Sequence, residues 1–222
     1  MDDVLFDGIV DMQRLILALI LALIASPLAA TTVVQGYGYC AYDDVVVPGL
    51  VVRDTGPAAA DLVLWAGLSP FYVLTFEANT DEEVYGSIQM PHGWDGGAIT
   101  FHVHWAPTVA SDGAPAGQKV KWCIDHSWAD INTTFPGATT ATCATDRLDN
   151  TEELVLNRHY ITIIGSLSPG ASADAGSSVL FFRLYRDAND ATNDTYESDA
   201  ALVSVDAHYR ACKAGSVTAA PD

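Results

Sequence analysis

Positive charge is scarce in this sequence. Lys and Arg together number 10 against 28 Asp and Glu, a formal net charge of −18, and no basic run occurs. Nucleic acids and anionic membrane surfaces require clustered cations to neutralise phosphate, so neither is an expected partner of the mature chain. The acidic excess is read as a solubility device. Common catalytic signatures are also missing: there is no G-x-S-x-G, no H-E-x-x-H and no Walker loop. The 4 cysteines include no C-x-x-C pair, which argues against zinc ribbons and thioredoxin-like redox centres. Past residue 30 no long segment follows the 3.6-residue helical period, and no internal repeat is found, so bundles, propellers and solenoids are set aside.

What remains is β-rich. Candidate strands lie at 45–52, 61–65, 72–78, 83–90, 98–105, 119–128, 154–165, 178–186 and 200–209, with Gly, Pro, Asp, Asn and Ser between them. The segments 91–97, 107–117, 136–150 and 186–195 read as loops. Side chains alternate between the faces of a strand, which places Ile99, Phe101, Val103 and Trp105 on one side and Thr100, His102 and His104 on the other. By the same rule Val120, Trp122, Ile124 and Trp128 form a core row opposite Lys121, Cys123 and Asp125. Val203, Val205, Ala207 and Tyr209 form another core row, opposite Leu202, Ser204, Asp206 and His208. The expected fold is all-β, an antiparallel sandwich of jelly-roll type occupying 31–222 as one domain with a loose tail from 212.

Ahead of it, "MQRLILALILALIASPLAATT" carries Arg14, an apolar run of 11 residues from Leu15 to Ala25, and Pro27. That is the layout of a signal segment, too short to span a bilayer. The acidic stretch Met1–Asp11 and Leu28 fit it poorly, and a retained hydrophobic helix is the other reading of 1–30. Two disulfides would suit an oxidising compartment. Of the three pairings open to four cysteines, Cys40–Cys212 near the domain ends and Cys123–Cys143 around one loop are expected.

Four features invite chemistry. The first is "FHVHW", 101–105, in a chain with 6 histidines. His102 and His104 admit a metal site within one chain, a metal on a symmetry axis, or a polar interface network; the network is the expectation. It would comprise His102, His104, Asp125, Arg183, Asp206 and His208, with Arg183 drawn towards Asp206 if the last two strands form a hairpin. A metal held by His102 and His104, with His92 or His208 completing it, would be Fe, Mn or Zn. The spacing from Gly96 to His102 and His104 is similar to the first cupin motif, but the Glu of that pattern is missing. The second is the Asp187, Asp190, Asp194 and Asp199 group, which reads as a solvated loop and alternatively as a Ca2+ site. The third is Trp94, the one tryptophan left open for stacking on a sugar. The fourth, Glu82 beside Glu83, carries no special expectation. No cofactor is expected.

Taken in order, "QMPHGWDGG" (89–97), "FHVHWAP" (101–107), "VKWCIDHSWADINTTF" (120–135), "FRLYRDANDATNDTY" (182–196) and "DAALVSVDAHY" (199–209) resemble a group of tailed-bacteriophage virion proteins. The resemblance spans 83–210. It implies a non-enzymatic β-sandwich carried on a particle as a capsid decoration, head fibre or tail-associated protein. It further implies self-association, as a homotrimer, and contact with other virion proteins such as the major capsid protein. No catalytic residue follows from it. The hydrophobic N-terminus and the cysteines depart from that group and fit a secreted, surface-exposed module that binds carbohydrate or another ligand. The location expected is accordingly the virion, the cell surface or the extracellular space.

Overall fold

The computed structural model describes residues 40–53, 56–65, 68, 70–108, 117–138, 141–147, 155–170 and 176–212. All belong to one compact unit, Gly38–Asp222; the expectations for 1–30 and for the C-terminal tail fall outside the described residues. Among the described residues every regular element is a strand: β1 (Ala41–Val46), β2 (Val51–Val52), β3 (Asp61–Leu64), β4 (Tyr72–Phe76), β5 (Glu83–Gln89), β6 (Ile99–Pro107), β7 (Lys119–Ala129), β8 (Thr142–Arg147), β9 (Tyr160–Leu167), β10 (Val179–Arg186) and β11 (Ala200–Ala211).

They form two antiparallel sheets. The first, sheet A, runs β3-β4-β11-β6-β9, with β1 also on β11; the second, sheet B, runs β2-β5-β10-β7-β8. From β4 onward the chain changes sheet at every connection except the β7–β8 hairpin. That gives four strands in the order β4-β11-β6-β9 facing four in the order β5-β10-β7-β8. This interleaving is the jelly roll, so the expected fold class is the observed one.

The alternation in the sequence explains the layers. Ile99, Phe101, Val103 and Trp105 of β6 and Val120, Trp122, Ile124 and Trp128 of β7 all point inward and are buried. Aromatic pairs join the sheets and fill the core edge-on: Phe101 meets Phe182 at 5.1 Å between ring centroids, and Phe76 meets Trp122 at 4.9 Å. Buried indoles find partners, with Trp105 Nε1 donating to Thr162 Oγ1 at 2.9 Å and Trp128 Nε1 to Ser178 Oγ at 3.0 Å.

Four expectations about elements need correction. The stretch 45–52 is not one strand, because Pro48 and Gly49 end β1 and restart the chain as β2 in the other sheet. Residues 142–147, expected as loop, form β8, which has little apolar character because it is an edge strand held by β7. The strand expected at 154–165 begins only at Tyr160. The core row of β11 also breaks: the register slips between Leu202 and Ser204. This bulge turns Leu202 into the core and leaves Val203 44% exposed.

Both expected disulfides are present, Cys40–Cys212 and Cys123–Cys143. The first joins the residue before β1 to the residue after β11, strands already paired as neighbours. The second crosses the β7–β8 ladder at directly opposed positions.

A fully buried arginine ties the end of β10 to the loop that follows. Arg186 is 0% exposed. Its Nε and Nη2 reach the Asp194 carboxylate at 2.9 and 2.7 Å, and its remaining N–H groups meet the carbonyls of Phe76, Ser198 and Tyr196. Three of the four acidic residues expected as a solvated loop instead meet the protein's own cations: Asp194 takes Arg186, while Asp187 and Asp190 take Lys121 Nζ at 2.5 and 2.7 Å.

Candidate functional site

The outer face of sheet B is organised around β10. Leu180, Phe182 and Leu184 point into the core, so Phe181, Arg183 and Tyr185 point out. Register sets Ser87 and Ser127 beside Phe181, and Tyr85 and Asp125 beside Arg183. The Arg183 guanidinium bridges two carboxylates, with Nη1 3.0 Å from Glu83 Oε2 and Nη2 2.7 Å from Asp125 Oδ2. It also lies 4.4 Å from the centroid of the Tyr185 ring. Glu83 Oε1 accepts a second pair of bonds, from Arg53 Nη1 at 2.9 Å and Tyr85 Oη at 2.8 Å. Burial pushes the Tyr85 phenol above its usual range, and the bond to Glu83 adds to this. The tyrosine therefore stays a donor at physiological pH.

Above these groups is an open cleft of ≈ 420 Å³, lined by Tyr85, Asp125, Ser127, Phe181 and Arg183 among others. Phe181 is 51% exposed, and Phe135 from the β7–β8 connection leans on it at 5.1 Å. That connection is pinned by Ser127 Oγ, which donates to Pro136 O at 2.6 Å. Exposed ring faces therefore stand next to fixed charged donors and acceptors.

The outer face of sheet A carries the histidines. In the β6–β11 register Asp206 sits opposite His102, and Ser204 opposite His104. Asp206 is 7% exposed, with Oδ2 2.5 Å from His104 Nε2 and Oδ1 3.1 Å from His102 Nδ1. His159 stacks on His104, its Nε2 2.7 Å from His104 Nδ1. His208 lies next to His102, ring centroids 5.2 Å apart, and bonds Asp44 through Nδ1 at 2.6 Å.

The interface set expected from the sequence is thus divided. His102, His104, Asp206 and His208 share one face, whereas Asp125 and Arg183 occupy the opposite side of the sandwich. Arg183 does not approach Asp206, because β10 and β11 cross between sheets instead of forming a hairpin. Trp94, expected open, is 0% exposed and stacks on Trp128 at 5.0 Å, with its Nε1 bonded to Gly97 O. His92, considered as a further ligand, bonds Ser177 Oγ at 2.9 Å instead. Glu82 and Glu83, read as ordinary, are both buried. Tyr85 and Phe181 were not singled out in the sequence, although period-two alternation through "VLFFRLYR" already marks Phe181 and Arg183 as sharing a face.

No family model and no curated protein matches the sequence. Among solved structures, the chain is similar to the CBM27-1 module of Caldicellulosiruptor saccharolyticus in complex with mannohexaose, with 12% identity, a TM-score of 0.35 and coverage of 74% of this chain and 96% of that one. It is also similar to TmCBM61 in complex with beta-1,4-galactotriose, with 7% identity, a TM-score of 0.29 and coverage of 78% and 88%. At these values the assignment of the fold rests on the strand order itself.

Proposed function

We propose that the protein is a non-catalytic binding module of an oxidising, extracellular or cell-surface setting, and that it takes up carbohydrate in the cleft on the outer face of sheet B. The observation that carries this reading is the pairing of exposed Phe181 and Tyr85 with Arg183 and Asp125 in one cleft, with Arg183 also ion-paired to buried Glu83. A sugar ring has an apolar C–H face and a polar hydroxyl edge, so it needs a flat hydrophobic surface beside fixed donors and acceptors. Side chains already held in ion pairs lose little freedom when they bind. The same ion pairs speak against glycoside hydrolysis, which needs one carboxylate free to give a proton and another free to attack or activate water. Here Glu83 and Asp125 are both tied to Arg183. The two disulfides support the setting.

Affinity electrophoresis and calorimetry of the full chain against mannan, galactan, xylan, glucan and peptidoglycan fragments test the reading. At least one should bind, with Phe181→Ala and Tyr85→Ala each lowering affinity tenfold or more. Binding to none of them, or binding indifferent to both substitutions, defeats it.

A second reading, a self-associating structural component of a phage particle, draws on the β3–β4 edge. Leu62, Leu64, Phe71 and Tyr72 are all exposed there, and contiguous apolar surface on an edge hairpin is surface that another copy tends to cover. Light scattering on the purified chain decides it: a trimer supports this reading and a monomer at micromolar concentration removes it.

A further inference from the structure

We infer that the outer face of sheet A is a divalent transition-metal site, suited to Zn2+, whose ligands are His102 Nδ1, His104 Nε2 and a carboxylate oxygen of Asp206. These three donor atoms lie within 4.8 Å of one another. They converge because two histidines at i and i+2 stand on the same face of β6 while the register brings Asp206 up between them from β11. Two imidazoles and a carboxylate are the donor set that tetrahedral Zn2+ takes when a fourth position is left for water or a further ligand.

The state of Asp206 is the independent observation. It is 7% exposed, and among the described residues its Oδ1 has no hydrogen bond although His102 Nδ1 is 3.1 Å away. A buried carboxylate with one oxygen unmatched is a place for a cation. An ion between the rings supplies it.

The outer shell is also in place. Ligating histidines are normally oriented by a bond from the other ring nitrogen, and His104 Nδ1 already meets His159 Nε2 at 2.7 Å. Metal on His104 Nε2 requires the proton on Nδ1, which then donates to His159. Asp44, His102 and His208 form a second such triplet beside the first, sharing His102. Thus His102, His104, His159 and His208, out of 6 histidines in the chain, gather on one sheet face.

The site and the cleft lie on opposite faces, so either proposal can fail alone. The test is calorimetric titration of the EDTA-stripped full chain with ZnCl2, with Co2+ absorption as a readout of tetrahedral coordination. One ion per chain and a raised thermal midpoint are expected. His104→Ala and the near-isosteric Asp206→Asn should each weaken binding tenfold or more, His159→Phe by about tenfold through loss of the outer-shell bond, and His92→Ala not at all. No binding at millimolar Zn2+, binding that survives both ligand substitutions, or one ion shared by two or three chains would each overturn the assignment.

Discussion

Replacing Arg186 by Met is the most demanding test of the packing described above. The guanidinium has five N–H donors, and the structure gives each an acceptor: two on Asp194 and one each on Phe76 O, Ser198 O and Tyr196 O. Methionine fills much of the volume and supplies none of the donors. Among the described residues Asp194 would keep the Lys121 backbone N–H alone, at 3.0 Å. Breaking a buried ion pair by deleting one partner costs about 3–5 kcal/mol, and each buried carbonyl left without a donor costs about 1 kcal/mol or more. Water entry and local relaxation return part of this, so a loss of about 4–6 kcal/mol is expected. That is a large share of the roughly 5–15 kcal/mol that holds a typical domain folded. Urea unfolding followed by tryptophan emission would show the midpoint fall at unchanged slope. Adding Asp194→Leu should restore about 2 kcal/mol, because the stranded carboxylate disappears. A loss below about 1 kcal/mol for Arg186→Met, or strict additivity in the double variant, would refute the account, since neither fits a fully engaged buried pair.

Three further outcomes follow from other sites. Burial pushes the Glu82 carboxyl up to about 7, with the Glu77 N–H opposing and the charges of Glu77, Asp61 and Asp199 adding to the rise. The folded state therefore holds that proton more tightly than the unfolded chain, and the stability this gives is complete below pH 4.5 and is lost as pH rises through about 7. Glu82→Gln should be stabilising by on the order of 3 kcal/mol at pH 8 and nearly neutral at pH 4 in paired denaturation curves; equal effects at both pH values would contradict it. A Cβ on Gly86 would lie 2.4 Å from Phe182 Cζ, and because that ring is wedged against Phe101, Gly86→Ala should cost about 1–3 kcal/mol by overpacking. An unchanged melting temperature would show that the ring can move aside. Loop-closure entropy ranks the disulfides: with sequence separations of 172 and 20, removing Cys40–Cys212 should cost about 5 kcal/mol and removing Cys123–Cys143 about 3 kcal/mol. The reverse order in the two double-serine variants would place the stabilisation in the folded state instead.

Much of this fold was readable from residue alternation alone. β6 and β7 announce both faces, because bulky apolar side chains recur at every second position and the cost of exposing them fixes the register. β8 did not announce itself, since "TCATDR" has no apolar row and is a strand only because β7 offers it a ladder. The slip at Val203 is equally silent: a bulge inserts one residue without changing composition, and it reassigns Leu202 from outside to core. The histidine row survived this because Asp206 and His208 lie beyond the slip. Arg183 was misplaced for a topological reason. Consecutive strands suggest a hairpin, and a jelly roll sends them to different sheets. Trp94 shows the limit of reading loops as exposed, since a tryptophan after "PHG" closes one end of the core. The segment "RLYRDANDATNDTY" stood out as a resemblance and as an acidic loop; the geometry gives it a reason, because Arg186, Asp194 and Tyr196 are the parts of one buried clamp.

The covalent link between Cys40 and Cys212 has a mechanical consequence. The domain's first and last strands run side by side and are bonded beside their outer ends, so tension applied through the flanking chain is carried by sulfur and does not reach the ladders. Both faces would keep their shape under load for as long as that bond remains oxidised.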